Sequence, residues 1–375
     1  MARPDLHGTR MLGFRPIHLD AVTTLIAGLA NGLPTVRHRS GVTPAILGAY
    51  ARAGLVVEEE LHPYAEGDEA YAIADRLVAR GFRLSAPYPL PPGRFRDADH
   101  LVPPALWRRL NAKDRLGDLV PPAHRMDRRV LTPDAVRRMP FEGPVWLKAA
   151  GRAATGWGFA VRHAPDRPAR DAGAAELAAL GAEGIVVEDD AGPGPSWCVS
   201  IAVGEGGTRY AGMAEQVFAA PGRQSGSRVD PATPLPDAAR ALAVAVGETA
   251  RALGFRGLAG LDIGRARDGR LVVFDPNFRF NASSAQAMLH DAAAARSGLP
   301  ASRSVQIARP DPMETLIARS DGAVAEGWFV PTRLLDASLL PAAEGLSLVT
   351  GFVLGHDAAD AARRAGVLAA RLAGG

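Results

Sequence analysis

Apolar and polar positions change period several times along the chain, and the changes mark out its elements. Up to about residue 105, short apolar runs alternate with amphipathic stretches. Gly54-Leu55-Val56-Val57 reads as a strand, Glu69 to Arg80 as an acidic-led helix, and Arg83-Leu84 as the start of another strand. This alternation predicts a small α/β domain with parallel strands. The run PYPLPP at 87–92 reads as a rigid exposed connection and sets a boundary near residue 105. Pro104 to Leu119 then predicts a helix that carries Lys113 and is stopped by Pro121-Pro122.

The second half has a different texture. VWLKAAGRAATGWGFA, from Val145 to Ala160, reads as strand, glycine flap, strand. A helix from Asp171 to Leu180 follows, then a strand Gly184-Ile185-Val186-Val187 closing on Glu188-Asp189-Asp190. Strands at Ser200 to Val203 and Ala211 to Gln216 precede a Gly/Ser/Arg stretch, Gly222 to Arg228, that reads as a flexible loop. A long alanine-rich helix spans Pro236 to Leu253, bounded by proline and by Gly254. LAGLDIGRARDGRLVVFDPN predicts a hairpin turning at Asp268-Gly269, with Asp262 on its first strand and Asp275 ending its second. Gly351 to Leu354 forms a last strand, and Asp357 caps the final helix.

At 375 residues, 47% hydrophobic and 22% charged, the chain is long and apolar enough for a folded multi-layer protein, which excludes disorder. No apolar run reaches membrane-spanning length and the N-terminal stretch lacks a signal-peptide core, so a cytoplasmic location without membrane contact is expected. A net charge of +3 gives no nucleic-acid footprint, and the pairs Arg108-Arg109, Arg128-Arg129 and Arg137-Arg138 read as solvated helix surfaces. Cys198, the one cysteine, reads as a small buried hydrophobe, and the nine histidines show no metal-binding spacing. A metal would have to sit on carboxylates.

One bias is more informative. Of 43 basic residues, 41 are arginine, and the two lysines are Lys113 and Lys148. A background that favours arginine should keep lysine where a compact ammonium does what a planar fork cannot, as against a phosphate oxygen in a narrow channel. The glycine loop after Lys148 also suggests phosphate. It is not a P-loop, because the lysine precedes the glycines, and neither GxGxxG opening a helix nor GxSxG occurs. What is present is a lysine on a strand, a glycine flap, an acidic strand end forty residues on, and a carboxylate hairpin. Backbone N–H groups of a flap can lie on phosphate oxygens, and Asp262, Asp275 and Asn277 offer hard oxygens suited to Mg²⁺.

These segments together resemble the ATP-grasp superfamily, specifically its carboxylate-amine ligase and biotin-carboxylase-like branch. The resemblance covers about residues 105 to 375, and residues 1–105 look like the pre-ATP-grasp domain. It implies α/β and α+β architecture: ATP-grasp N-terminal part at 106–200 with a lid at about 120–190, and an antiparallel core at 201–375. It implies that Lys113 and Lys148 contact nucleotide phosphates under a flap of Gly151, Gly156 and Gly158. Glu188 would meet the adenine amino group, while Val187 and Asp189 would supply backbone groups. Asp262, Asp275 and Asn277 would hold one or two Mg²⁺ ions, and Arg279 would steady the substrate carboxylate and the tetrahedral intermediate. Many relatives carry glutamate at the position of Asp275, and the ribose-binding acid has no match in Gly192-Pro193-Gly194-Pro195-Ser196. Gln216, Arg223, Ser225 and Arg228 fall where relatives keep acceptor-side residues.

The implied reaction is ATP-dependent ligation of a small carboxylic acid to an amine, with amino acids or peptides as substrates, through an acylphosphate. The alternatives are an ATP-grasp kinase and a non-catalytic nucleotide-binding regulator. Neither a nucleic acid nor a membrane is an expected partner, and a homodimer is the assembly to test.

Overall fold

The computed structural model describes residues 1, 4, 11–12, 14–24, 28–151, 158–340 and 344–374. In chain order the elements are α1 (Pro16–Thr24), β1 (Pro34–His38), α2 (Pro44–Arg52), β2 (Glu60–Tyr64), α3 (Gly67–Ala79), α4 (Pro104–Asn111), β3 (Arg128–Leu131), α5 (Pro133–Arg138), β4 (Val145–Ala150), β5 (Val161–Ala164), α6 (Arg167–Leu180), β6 (Gly184–Asp189), β7 (Ser196–Gly204), β8 (Gly207–Ala220), β9 (Arg223–Val229), α7 (Asp237–Ala252), β10 (Gly257–Arg265), β11 (Leu271–Asn277), α8 (Ser284–Ser297), β12 (Ala301–Arg309), α9 (Met313–Ala325), β13 (Phe329–Leu335), β14 (Ser347–Gly355) and α10 (Ala358–Ala373). Among the described residues no helix is long and apolar enough to cross a membrane.

They build three sheets. β1 and β2 pair in parallel near the N-terminus. A four-stranded antiparallel sheet of order β3-β6-β4-β5 carries α5 and α6, around a core that includes Leu147, Ile185, Ala174 and Leu177. An eight-stranded sheet of order β11-β10-β7-β8-β9-β12-β14-β13 forms the rest. One end buries α7 against β7 and β10 through Val199, Ile201, Leu242 and Val246. The other buries α2, α9 and α10 around Phe329, Phe352 and Leu368, so the N-terminal segment packs against the last strands of the chain.

Local chemistry explains most boundaries. Thr43, Thr132, Asp166 and Asp357 cap α2, α5, α6 and α10, each accepting a hydrogen bond from a backbone N–H of the first turn. The hairpin β10–β11 turns where expected, with Gly269 N–H donating to Ala266 O at 2.8 Å.

Four expectations need correction. The run at 87–92 is not an exposed connection, because Tyr88 and Leu90 are buried in the packing of the N-terminal part. Residues 54–57 are not a strand: Gly54, in the left-handed region, ends α2, the Leu55 N–H donates back to Tyr50 O, and the parallel strand begins at Glu60. Residues 223–229 are not a loop but β9, paired with β8 and β12. Its small residues reflect close packing, since a Cβ on Gly226 would lie 2.8 Å from Ser304 Oγ. The helix from Pro104 stops at Asn111, whose side chain donates to Trp107 O and accepts the Phe278 N–H. Ala112 is extended and Lys113 opens a separate 3-10 turn, which carries it away from the helix axis towards β11.

Candidate active site

The alternation of the β10–β11 hairpin places its carboxylates. Asp262 and Asp275 are directly opposite in the antiparallel register, so both project from one face, and Asn277, two residues on, shares it. Just past the strand, Arg279 donates from one terminal nitrogen to Asn277 Oδ1 at 2.8 Å and from the other to Phe280 O at 3.1 Å. Its guanidinium lies over the Tyr88 ring, 5.2 Å from the centroid.

The four-stranded sheet faces this hairpin with a row of polar side chains. Register aligns Arg128 on β3 with Glu188 on β6, Glu188 with Trp146 on β4, and Trp146 with His163 on β5. Lys148 stands two residues beyond Trp146 on the same face. Its Nζ donates to Glu188 Oε1 at 2.5 Å and to Phe274 O at 2.9 Å, which ties the sheet to β11. Glu188 also forms an ion pair with Arg128, whose guanidinium donates to the Lys113 carbonyl at 2.8 Å. Lys113 Nζ reaches Asp275 Oδ2 at 2.5 Å.

These groups perturb one another. Burial and the adjacent Asp275 push Asp262 up to about 7. Burial opposes the charge on Asp275 too, but Lys113 and then Lys148 outweigh it and hold that carboxyl below the usual range. Burial, then Arg128, pushes the Lys148 ammonium downward. Two carboxylates facing each other with one poorly able to ionise are an arrangement that a divalent cation would relieve. Among the described residues no three His, Cys, Asp or Glu side chains gather into a metal cluster. The two carboxylates and the amide oxygen are hard donors of the kind Mg²⁺ takes, and these three side chains would hold such an ion.

Lys113, Lys148, Glu188, Asp262, Asp275, Asn277 and Arg279 all line one cavity of about 590 Å³. The expected flap is only partly tested by this geometry. Gly158 lines the cavity, Gly151 does not, and Gly156 lies outside the described residues. Val187 must be corrected: it is mid-strand on β6, paired with Arg129 on one side and Leu147 on the other, and its side chain is in the lid core, so its backbone is already engaged in the sheet. Asp189, expected to offer backbone groups, has its N–H taken by Asp127 O at 3.0 Å.

Asp190 lines the wall instead. It accepts hydrogen bonds from Trp146 Nε1 at 3.0 Å, from His163 Nε2 at 3.1 Å and from the Gly192 N–H at 3.0 Å. Burial pushes its carboxyl up, but these three bonds outweigh that and hold it low. Gly192, Pro193, Gly194 and Ser196, the stretch without a ribose acid, also line the cavity. Of the acceptor-side candidates, Gln216 lines it, whereas Arg228 is committed to Glu215. Arg128, Trp146, His163 and Asp190 carry no sequence signal of their own. Strand pairing across four separate segments assembles them, and only the full register shows it.

This layout, an antiparallel four-stranded sheet set against a carboxylate hairpin of a larger sheet, is the fold of the ATP-grasp ligases. Its overall shape is similar to the crystal structure of phosphoribosylamine--glycine ligase from Thermotoga maritima, at a TM-score of 0.57 and 13% identity, with 90% of this chain and 96% of that one covered. It is also similar to the L-amino acid ligase from Bacillus licheniformis (TM-score 0.49, 11% identity, 90% and 97% covered). A further similar structure is carboxyaminoimidazole ribonucleotide synthase from Aspergillus clavatus complexed with ATP (TM-score 0.46, 13% identity, 71% and 74% covered). Residues 1–108 match the family model described as L-aspartate--L-methionine ligase N-terminal domain. No curated protein matches the chain.

Proposed function

We propose that the protein is an ATP-dependent carboxylate-amine ligase. The observation that carries this reading is the convergence of both lysines of the chain, Asp262, Asp275, Asn277 and Arg279 on one cavity between lid and core. A carboxylate oxygen of the acid attacks the γ-phosphorus and ADP leaves. The amine nitrogen then attacks the acyl carbon, phosphate leaves, the nitrogen loses a proton, and an amide remains. No protein nucleophile is needed. Cys198, the thiol in the cavity wall, is buried and its pKa is pushed upward by burial and then Asp262.

The residues supply position and charge. Lys113 and Lys148 hold phosphate oxygens, Glu188 and Arg128 hold Lys148 in place, and Arg279 offsets the charge on the attacked acyl oxygen. Asp262, Asp275 and Asn277 would hold Mg²⁺, which when bound neutralises charge on the phosphates. Closure of the lid, within about residues 120–190, over the core that begins near residue 201 keeps water from the acylphosphate. The name of the N-terminal family model makes L-aspartate and L-methionine the first acid and amine to test.

ADP release from purified protein with ATP, Mg²⁺ and that pair is the deciding assay. It should depend on both amino acids and be abolished by Lys148→Ala and by Asp275→Ala. AMP and pyrophosphate as products would overturn the acylphosphate route. ADP formed without the amine, with a stable phosphorylated acid, would replace it with a kinase.

A further inference from the structure

On the N-terminal-domain side of Arg279 several polar groups are buried together without partners. The Tyr88 ring lies under the Arg279 guanidinium, yet its hydroxyl is buried and makes no hydrogen bond. Trp107 Nε1 is in the same condition, its ring 5.9 Å from that of Tyr88. From the C-terminal sheet, Arg333 Nε and Thr350 Oγ1 are also buried and unpartnered, and these two residues sit opposite each other in the β13–β14 register beside a bulge. The Leu334 N–H donates to the Tyr50 hydroxyl at 2.8 Å, which fixes the strand at this point.

Arg333 is the unusual member. Among the described residues its side chain has no carboxylate partner and no hydrogen bond, although the neighbouring Arg37 is closely paired with Glu59. Burial pushes its guanidinium down to about 10, with Tyr50 and Tyr88 acting in the opposite direction. Arg333 is half-buried, and its Nε, which solvent does not reach, meets no acceptor from the described part of the chain. The two lysines already account for the nucleotide phosphates. One cation with the Tyr88 phenol near it and the Thr350 hydroxyl opposite it in the register suits a single planar anion better than a phosphate.

We propose that Arg333 and the Tyr88 hydroxyl bind a substrate carboxylate that the reaction does not consume, beside the carboxyl handled by Arg279. The inference rests on the ligase reading for the identity of the substrates. The anion is either the second carboxyl of the acid or the free carboxyl of the amine.

The test is calorimetric titration of the full chain, loaded with ADP and Mg²⁺, and of its Arg333→Gln variant. The probes are L-aspartate, its two monoamides, L-methionine and L-methionine amide. At least one carboxylate probe should lose affinity by about 30-fold in Arg333→Gln, as expected for a charged hydrogen-bonded contact. The amide lacking that carboxyl should bind both proteins alike, and whichever amide does so identifies the source. The proposal is overturned if Arg333→Gln binds every probe as the wild type does, if the wild type binds the amides as tightly as the acids, or if it binds none of the probes. Ligand-free Arg333→Gln should melt at or above the wild-type temperature, because an uncompensated charge has been removed. A fall of several degrees would instead mark Arg333 as a structural support. Selective carboxylate binding without ADP release would overturn the ligase reading alone, and ADP release indifferent to Arg333 would overturn this inference alone.

Discussion

Glu188 offers a sharp test of how the lid is wired. It is 1% exposed and serves two cations at once, Lys148 at 2.5 Å and Arg128. Replacing it by glutamine keeps its shape but leaves two buried positive charges without their directly bonded carboxylate, with only the field of Asp275 to offset them. Breaking a buried pair from one side costs about 3–5 kcal/mol, and at roughly 2–4 °C per kcal/mol the ligand-free protein should melt on the order of ten degrees lower. Lys148→Met should cost less, because Glu188 keeps Arg128 as a partner and only one bond to a carbonyl, Phe274 O, is lost. The informative measurement is the double variant. With Glu188→Gln already made, Lys148 is one of two repelling cations, so adding Lys148→Met should raise the melting temperature, reversing the sign the same change has in the wild type. Scanning calorimetry of the four proteins without nucleotide closes the cycle. If Lys148→Met destabilises equally in both backgrounds, Glu188 is not the shared counterion and the account of the lid face is wrong.

Other consequences follow from buried groups elsewhere. Arg170 is fully buried and donates to the carbonyls of Met139 and Arg137 at the end of α5. Arg170→Ala leaves these oxygens unsatisfied beside a cavity, and the lid should lose about 2–4 kcal/mol, seen as faster hydrogen exchange in α5 and α6 but not in α7. Asp190 has a folded pKa depressed below the ordinary aspartate value of 3.8, so the stability it contributes is present above that value and is lost as pH falls through the lower folded one. The melting-temperature gap between wild type and Asp190→Asn should therefore shrink as pH falls below about 4. A gap that widens below that pH would refute the assignment. Gly222 lies in the left-handed region, and a Cβ added there would stand 2.8 Å from the Trp146 ring, so Gly222→Val should displace the β8–β9 turn from the lid and weaken ATP binding measured by titration.

What is legible in the sequence depends on rarity and on local period. The carboxylate hairpin can be read because strand alternation and an Asp-Gly turn are local signals, and Asp262 and Asp275 do stand opposite each other. Lys113 and Lys148 stand out because an arginine-rich chain has only two lysines, and both line the cavity. The same background hides the important arginines. Arg128 reads as one of several solvated pairs, yet it is the second cation on Glu188, and nothing local separates it from Arg129, which is exposed on the other side of the strand. β9 is obscured because its Gly and Ser residues, which allow tight packing against β12 and a bond from Ser227 to Gln286, are also the residues of loops. In a chain with 41 arginines, residue type carries little information, and partnership carries more. Most buried arginines here can be explained by what they touch: Arg37 by Glu59, Arg170 by two carbonyls, Arg128 by Glu188. Arg333 touches no such group among the described residues, and the physics that makes its neighbours structural is what makes it a candidate for recognising a molecule from outside the chain.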